Sequence, residues 1–150
     1  LSGAGTLTGS LLDTVVGTSG ADGVTLTAAQ NGGIINLLGG ADALTLTGAN
    51  TISSYNVETI TGGASADNIT LGGATGQTVT VSGVETLVGT GASDVITLSA
   101  AITGGIINLL GGDDSLTLAT GTNTVSAFNV ESIFGSVGND TVTIGGAANT

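Results

Sequence analysis

The sequence predicts an all-β chain wound as a parallel β-solenoid, and three observations carry that expectation. The stretch Leu37-Leu38-Gly39-Gly40-Ala41-Asp42-Ala43-Leu44-Thr45-Leu46 returns 72 residues later as Leu109-Leu110-Gly111-Gly112-Asp113-Asp114-Ser115-Leu116-Thr117-Leu118. Its ending, an Asp, one variable residue and then apolar-Thr-apolar, also occurs at Asp22, Asp67, Asp94 and Asp140. Repetition of this kind marks solenoids and arrays. The third observation is composition: 28 Gly, no Pro, and a remainder dominated by Thr, Val, Ile and Leu, residues that favour strands. Glycines interrupt every window long enough for a helix, and no 3.6-residue apolar period is sustained.

The elements follow from the repeat. In each apolar-Thr-apolar segment, alternation sends the flanking aliphatics inward and the Thr outward. The inward pairs are Val24/Leu26, Leu44/Leu46, Ile69/Leu71, Ile96/Leu98, Leu116/Leu118 and Val142/Ile144. The motif Asp recurs at intervals of 20, 25, 27, 20 and 26 residues. With one motif per coil, that spacing gives about six coils of 20–27 residues with two or three short strands each. The longer coils add Thr78–Val81 and Val84–Leu87. The 20-residue coils replace both with Gly-Gly-Ile-Ile-Asn-Leu-Leu. A three-sided section pinched at every third coil is expected.

A shift of 72 aligns almost the whole chain. Gly32–Gly40 is identical to Gly104–Gly112, and Asn50–Glu58 matches Asn123–Glu131 after one inserted residue. The organisation expected is one continuous solenoid over 1–150, as two 72-residue three-coil repeats at 1–72 and 73–145. A third begins at 146–150. Neither end reads as a cap, and the chain starts at Leu1 without a secretory signal. It is expected to be processed, or to be a segment of something longer.

Charge narrows the function classes. Eleven acids and no Lys, Arg or His give a net charge of −11. Nucleic-acid binding is excluded, because phosphate contacts need basic side chains. The apolar runs are too short to span a membrane. With no His, Lys, Arg or Cys to act as base or nucleophile, and acids that follow the repeat instead of clustering, no enzyme is expected.

The acids themselves are the informative chemistry. Six are the motif Asp: Asp22, Asp42, Asp67, Asp94, Asp114 and Asp140. Asp13, Glu58, Glu85 and Glu131 share a place in apolar-acid-Thr/Ser-apolar segments, and only Asp113 stands apart. One set is expected to form a column at one edge, the other a partial column elsewhere. Two carboxylates ~5 Å apart repel by about 1 kcal/mol in bulk water and severalfold more near a protein surface. Stacked Asp therefore favours bound hard cations, raised pKa values or splayed side chains. The plainer alternative is that Asp, with Asn and Gly, makes turns by bonding its local backbone.

Gly62-Gly63-Ala64-Ser65-Ala66-Asp67-Asn68-Ile69-Thr70 resembles the calcium-binding RTX (hemolysin-type) nonapeptide, Gly-Gly-x-Gly-x-Asp-x-apolar-x, except at Ser65. The stretches ending at Asp22 and Asp140 match with the second glycine replaced, while those at Asp42, Asp94 and Asp114 keep fewer glycines. The resemblance covers one nonapeptide per coil. It implies a parallel β-roll, bacterial secretion, and Ca²⁺ held between turns of adjacent coils by the six motif Asp and turn carbonyls. The alternation of Val-Glu-Thr-Ile-type strands with Asp-x-apolar-Thr-Leu is also similar to repetitive bacterial surface-layer and adhesin proteins.

Lesser features are two sequons at Asn68 and Asn139, and Thr pairs at Thr25/Thr27 and Thr45/Thr47 that are similar to the arrays of ice-binding solenoids. Tyr55 and Phe128 occupy equivalent positions. The function expected is structural and extracellular: shaft or protomer of a bacterial surface filament, matrix fibre, surface layer or adhesin, self-associating end to end. The alternative expected is a calcium-dependent secretion or folding module of a larger enzyme or toxin.

Overall fold

The computed structural model describes residues 1–145 and contains no helix among them. Its strands are β1 (Thr6–Gly9), β2 (Thr14–Thr18), β3 (Gly23–Leu26), β4 (Gln30–Leu38), β5 (Ala43–Leu46) and β6 (Asn50–Tyr55). There follow β7 (Thr59–Thr61), β8 (Asn68–Gly72), β9 (Thr78–Ser82), β10 (Thr86–Val88) and β11 (Val95–Leu98). The last five are β12 (Thr103–Asn108), β13 (Ser115–Thr117), β14 (Thr124–Phe128), β15 (Ser132–Phe134) and β16 (Thr141–Gly145).

Odd strands form one 8-stranded sheet in chain order and even strands form a second, all pairs parallel. Each turn of the solenoid therefore holds two strands, one per sheet, and the section is two-sided instead of three-sided. Eight turns replace the expected six. Partners such as Ala43↔Thr59 and Thr59↔Thr80 put turn lengths between 16 and 21 residues. At about 4.8 Å per turn the stack is roughly 38 Å long. Because β3 and β11 lie four turns apart, the 72-residue spacing of Asp22 and Asp94 spans four turns, not three coils. The expected third repeat at 146–150 lies outside the described residues.

The alternation holds. Val24, Leu26, Leu44, Leu46, Ile69, Leu71, Ile96, Leu98, Leu116 and Leu118 are buried between the sheets with Ile35, Leu37, Ile60, Leu87 and Leu109. Val142 is half-buried and Ile144 exposed in the last described turn. These inward aliphatics form two columns facing one another, since Ile69 and Leu71 stand on the even sheet while Leu44 and Leu46 stand on the odd one. On the outside of the odd sheet Thr8, Thr25, Thr45 and Thr61 are register partners in consecutive turns.

Two glycines on the even sheet accept an aromatic lid. A Cβ on Gly72 would collide with the Tyr55 ring one turn earlier, and a Cβ on Gly145 with the Phe128 ring. The rings lie over the glycines and cover backbone that would otherwise face water.

The count of turns failed for a definite reason. All eleven acids lie outside the strands, and ten of them stand immediately before one. The same signature, an acceptor followed by one residue and a buried aliphatic, thus occurs at both kinds of corner, on the odd sheet and on the even sheet. Asp67 and Asp140 stand before β8 and β16 on the even sheet, whereas Asp22, Asp42, Asp94 and Asp114 stand before β3, β5, β11 and β13 on the odd sheet. Counting Asp alone mixes half-turns with full turns and skips those marked by Glu58, Gln77 or Glu131.

Candidate functional site: two columns of backbone-capping side chains

Each corner carries a relay in which a side chain of one turn accepts the backbone N–H of the turn before. At the corner entering the odd sheet, Asp22 Oδ1 accepts from Gly5 N (2.9 Å) and Asp42 Oδ1 from Asp22 N (2.7 Å). Glu58 Oε2 then accepts from Asp42 N (2.7 Å), and Gln77 Oε1 from Asn56 N (3.3 Å). The column continues with Asp94 on Gln77 N (2.6 Å), Asp114 on Asp94 N (2.7 Å) and Glu131 on Asp114 N (2.6 Å). The expected separate columns for Asp and Glu are therefore one interleaved series.

The opposite corner repeats the device with fewer charges. Gln30 accepts from Leu12 N, Asn50 from Gln30 N, Asp67 from Asn50 N and Glu85 from Asp67 N. Beyond a gap at Ile102, Asn123 accepts from Ile102 N and Asp140 from Asn123 N. The position requires an acceptor and not a charge. The sequence reading missed Gln30, Asn50, Gln77 and Asn123 for that reason, although Asn123-Thr124-Val125 has the pattern of Asp140-Thr141-Val142. These amides keep any unbroken run of carboxylates to three, which limits the repulsion anticipated from a continuous acidic edge.

The second carboxylate oxygen separates the six motif Asp into two kinds. Asp22 Oδ2 accepts from Thr18 N (2.6 Å), Asp67 Oδ2 from Gly63 N (3.1 Å), Asp94 Oδ2 from Thr90 N (2.7 Å) and Asp140 Oδ2 from Ser136 N (3.1 Å). In each case the donor is four residues earlier. These four carboxylates thus bond donors through both oxygens. At Asp42 and Asp114 the residue four earlier is Leu38 or Leu110, each held at φ +70°. There the N–H turns instead to Asn36 or Asn108 Oδ1 (3.2 Å in both). Asp42 Oδ2 and Asp114 Oδ2 are consequently buried without a partner.

As a calcium-binding set the six are unequal. A cation at Asp22, Asp67, Asp94 or Asp140 would have to displace N–H donors already in place, whereas Asp42 and Asp114 each retain one free oxygen. Among the described residues no group of three or more acids converges as metal ligands do.

Titration follows the same geometry. Burial pushes the Asp114 carboxyl above the ordinary value of 3.8; the Asp94 N–H opposes this, and the charges of Asp94, Glu131 and Asp113 add to it. The Asp140 carboxyl is held below 3.8, chiefly by the Asn123 amide and the Ser136 N–H. Burial raises Asp22, but the Thr18 N–H and hydroxyl and the Gly5 N–H outweigh it, and the net direction is down. The raised carboxyl takes its proton first in the folded chain, so it adds stability as pH falls from neutral through its folded value toward 3.8. The lowered pair contributes stability above 3.8 that is lost as pH drops through their folded values. On acidification the melting temperature is expected to rise and then fall. Asp114→Asn should flatten the rise and Asp140→Asn should shrink the fall, read by thermal unfolding between pH 7 and 2.5.

Ile102 tests whether the relay stabilises the fold. Its counterpart Gln30 makes three contacts, accepting from Leu12 N and donating to Leu12 O (2.7 Å) and Gly32 O (2.8 Å). Gln30→Ile is expected to cost about 2 kcal/mol by stranding the Leu12 N–H and carbonyl. Ile102→Gln should cost less than that, because new bonds to the backbone of Val84, which stands to position 102 as Leu12 does to Gln30, would offset the lost apolar burial. Urea titration of both variants measures the difference.

No protein-family model matches the chain, and comparison with curated proteins and with solved structures returns no match.

Proposed function

We propose that the chain is a structural repeat protein of an extracellular bacterial filament, matrix fibre, surface layer or adhesin shaft, with turns stacking end to end. The observation that carries this reading is the pair of corner relays. They commit thirteen polar side chains to turn-to-turn bonding along the stack, and the acids among the described residues form no separate constellation of three or more. The mechanism is mechanical: parallel backbone ladders, an aliphatic core and capped corners resist extension along the stack. Sheet faces free of acids, between corners that carry them, suit a rod that keeps neighbours apart at its edges. Electron microscopy of the purified chain at rising concentration is the test. Rods growing by end-to-end addition are expected; short particles of constant length at every concentration overturn the reading.

A second reading, a calcium-dependent module of the RTX kind within a larger secreted enzyme or toxin, is favoured by one observation, the free buried oxygens of Asp42 and Asp114. Oxygen-only donors suit Ca²⁺, and turn carbonyls would complete its shell. On this reading, chelation lowers the melting temperature and Ca²⁺ restores it, while the double variant Asp42→Asn, Asp114→Asn no longer responds. A melting temperature indifferent to chelator and to Ca²⁺ removes it.

A further inference from the structure

The odd-sheet corner is regular except at one step. Asp22 and Asp42 precede register partners, as do Asp42 and Glu58, and Gln77 and Asp94. Between Glu58 and Gln77 the register slips, since Thr59 pairs with Thr80 and not with Thr78. Gln77 and Thr78 therefore run two residues past the start of β7, alongside the tight turn at Asn56, whose φ is +51°. The slip opens a cleft of about 400 Å³ walled by Leu38, Glu58, Thr59, Gln77, Thr78 and Thr80. Its volume falls in the range of small-ligand sites, about 300–1,000 Å³. The corresponding step after Glu131 runs into residues outside the described range, so this is the single slip on the odd sheet among the described residues; on the even sheet β4 and β12 likewise start ahead of β2 and β10.

The groups in the cleft select a ligand class. Glu58 spends Oε2 on Asp42 N, which leaves Oε1 to accept. Gln77 is held by Asn56 N and by Thr75 O (2.9 Å), so it forms a fixed wall. The hydroxyls of Thr59, Thr78 and Thr80 bond to no described residue and can both donate and accept. Leu38, 48% exposed, supplies an apolar lip. With no basic residue in the chain, phosphate, sulfate and carboxylate ligands find no counter-charge. A divalent cation finds one carboxylate where it needs several. A peptide cannot add as a strand, because β7 is paired on both sides by β5 and β9. A neutral ring with adjacent hydroxyls and a C–H face meets every demand: hydroxyls to Glu58 and the threonines, carbons against Leu38. We propose that this cleft binds a neutral sugar unit of a glycan. The proposal does not depend on whether the chain forms rods.

The test is saturation-transfer NMR of the whole chain with neutral gluco-, galacto- and manno-oligosaccharides at millimolar concentration. At least one series is expected to receive magnetisation. Thr78→Val and Thr80→Val, which remove hydroxyls that bond to no described residue, should each weaken that binding about tenfold at an unchanged melting temperature. Thr45→Val, on the same sheet face outside the cleft, should leave it intact. Absence of transfer to every sugar overturns the proposal. So does binding that survives both valine variants, which would place the sugar elsewhere.

Discussion

Asp94→Ala is expected to lower the unfolding free energy by about 3–5 kcal/mol, as measured by urea titration. The side chain is fully buried and accepts from Gln77 N, Thr90 N and the Thr90 hydroxyl. Alanine leaves two backbone N–H groups in a dry corner with nothing to replace the carboxylate, and each such group costs about 1–3 kcal/mol. Relief of repulsion with Asp114 returns part of that. Asp94→Asn separates charge from geometry: one oxygen survives, one backbone N–H faces an amide N–H₂, and the expected cost is about 2 kcal/mol. Asp113→Ala, one residue before the column and exposed, should lie within about 0.5 kcal/mol of the parent. A loss for Asp94→Ala no larger than that for Asp113→Ala would mean that the relay does not hold the turns.

Ile60→Ala is expected to cost about 3–4 kcal/mol, and Ile60→Val about 1 kcal/mol. Ile60 is fully buried in β7, register partner of Leu44 in the turn before and Val81 in the turn after. A two-sided turn has a core only two facing side chains deep, so little can move in to fill the cavity. Because each turn touches only its neighbours, the damage should be local. Hydrogen exchange is expected to quicken in β5, β7 and β9 while β1 and β13 keep their protection. Uniform loss across the stack would show that the eight turns unfold as one unit.

Which parts of this architecture were legible in the sequence depends on the range over which each signal acts. Alternation is local, and Leu44-Thr45-Leu46 declared its inward and outward faces without further information. The path of the chain from one corner to the next is not local. Asp67-Asn68-Ile69 and Asp94-Val95-Ile96 have the same form yet enter opposite sheets, and only the register of distant strands separates them. The relay was half visible, because carboxylates draw attention and Gln30, Asn50, Gln77 and Asn123 do not. The unpartnered oxygens of Asp42 and Asp114 were out of reach, since they depend on a left-handed leucine sending its N–H to an asparagine. The slip at Gln77 was hidden for a similar reason: it is a difference between two turn lengths, and neither length is marked by any residue.

The relay also has a direction in time. Every acceptor reaches back to the turn that precedes it, so a turn leaving the ribosome has uncapped corner donors until the following one arrives. Each new turn finds a row of N–H groups already aligned for its Asp, Glu, Asn or Gln, and by docking there it locks its predecessor. In a chain that folds from its N-terminus, the docking of each turn would therefore cap the corner of the turn before it.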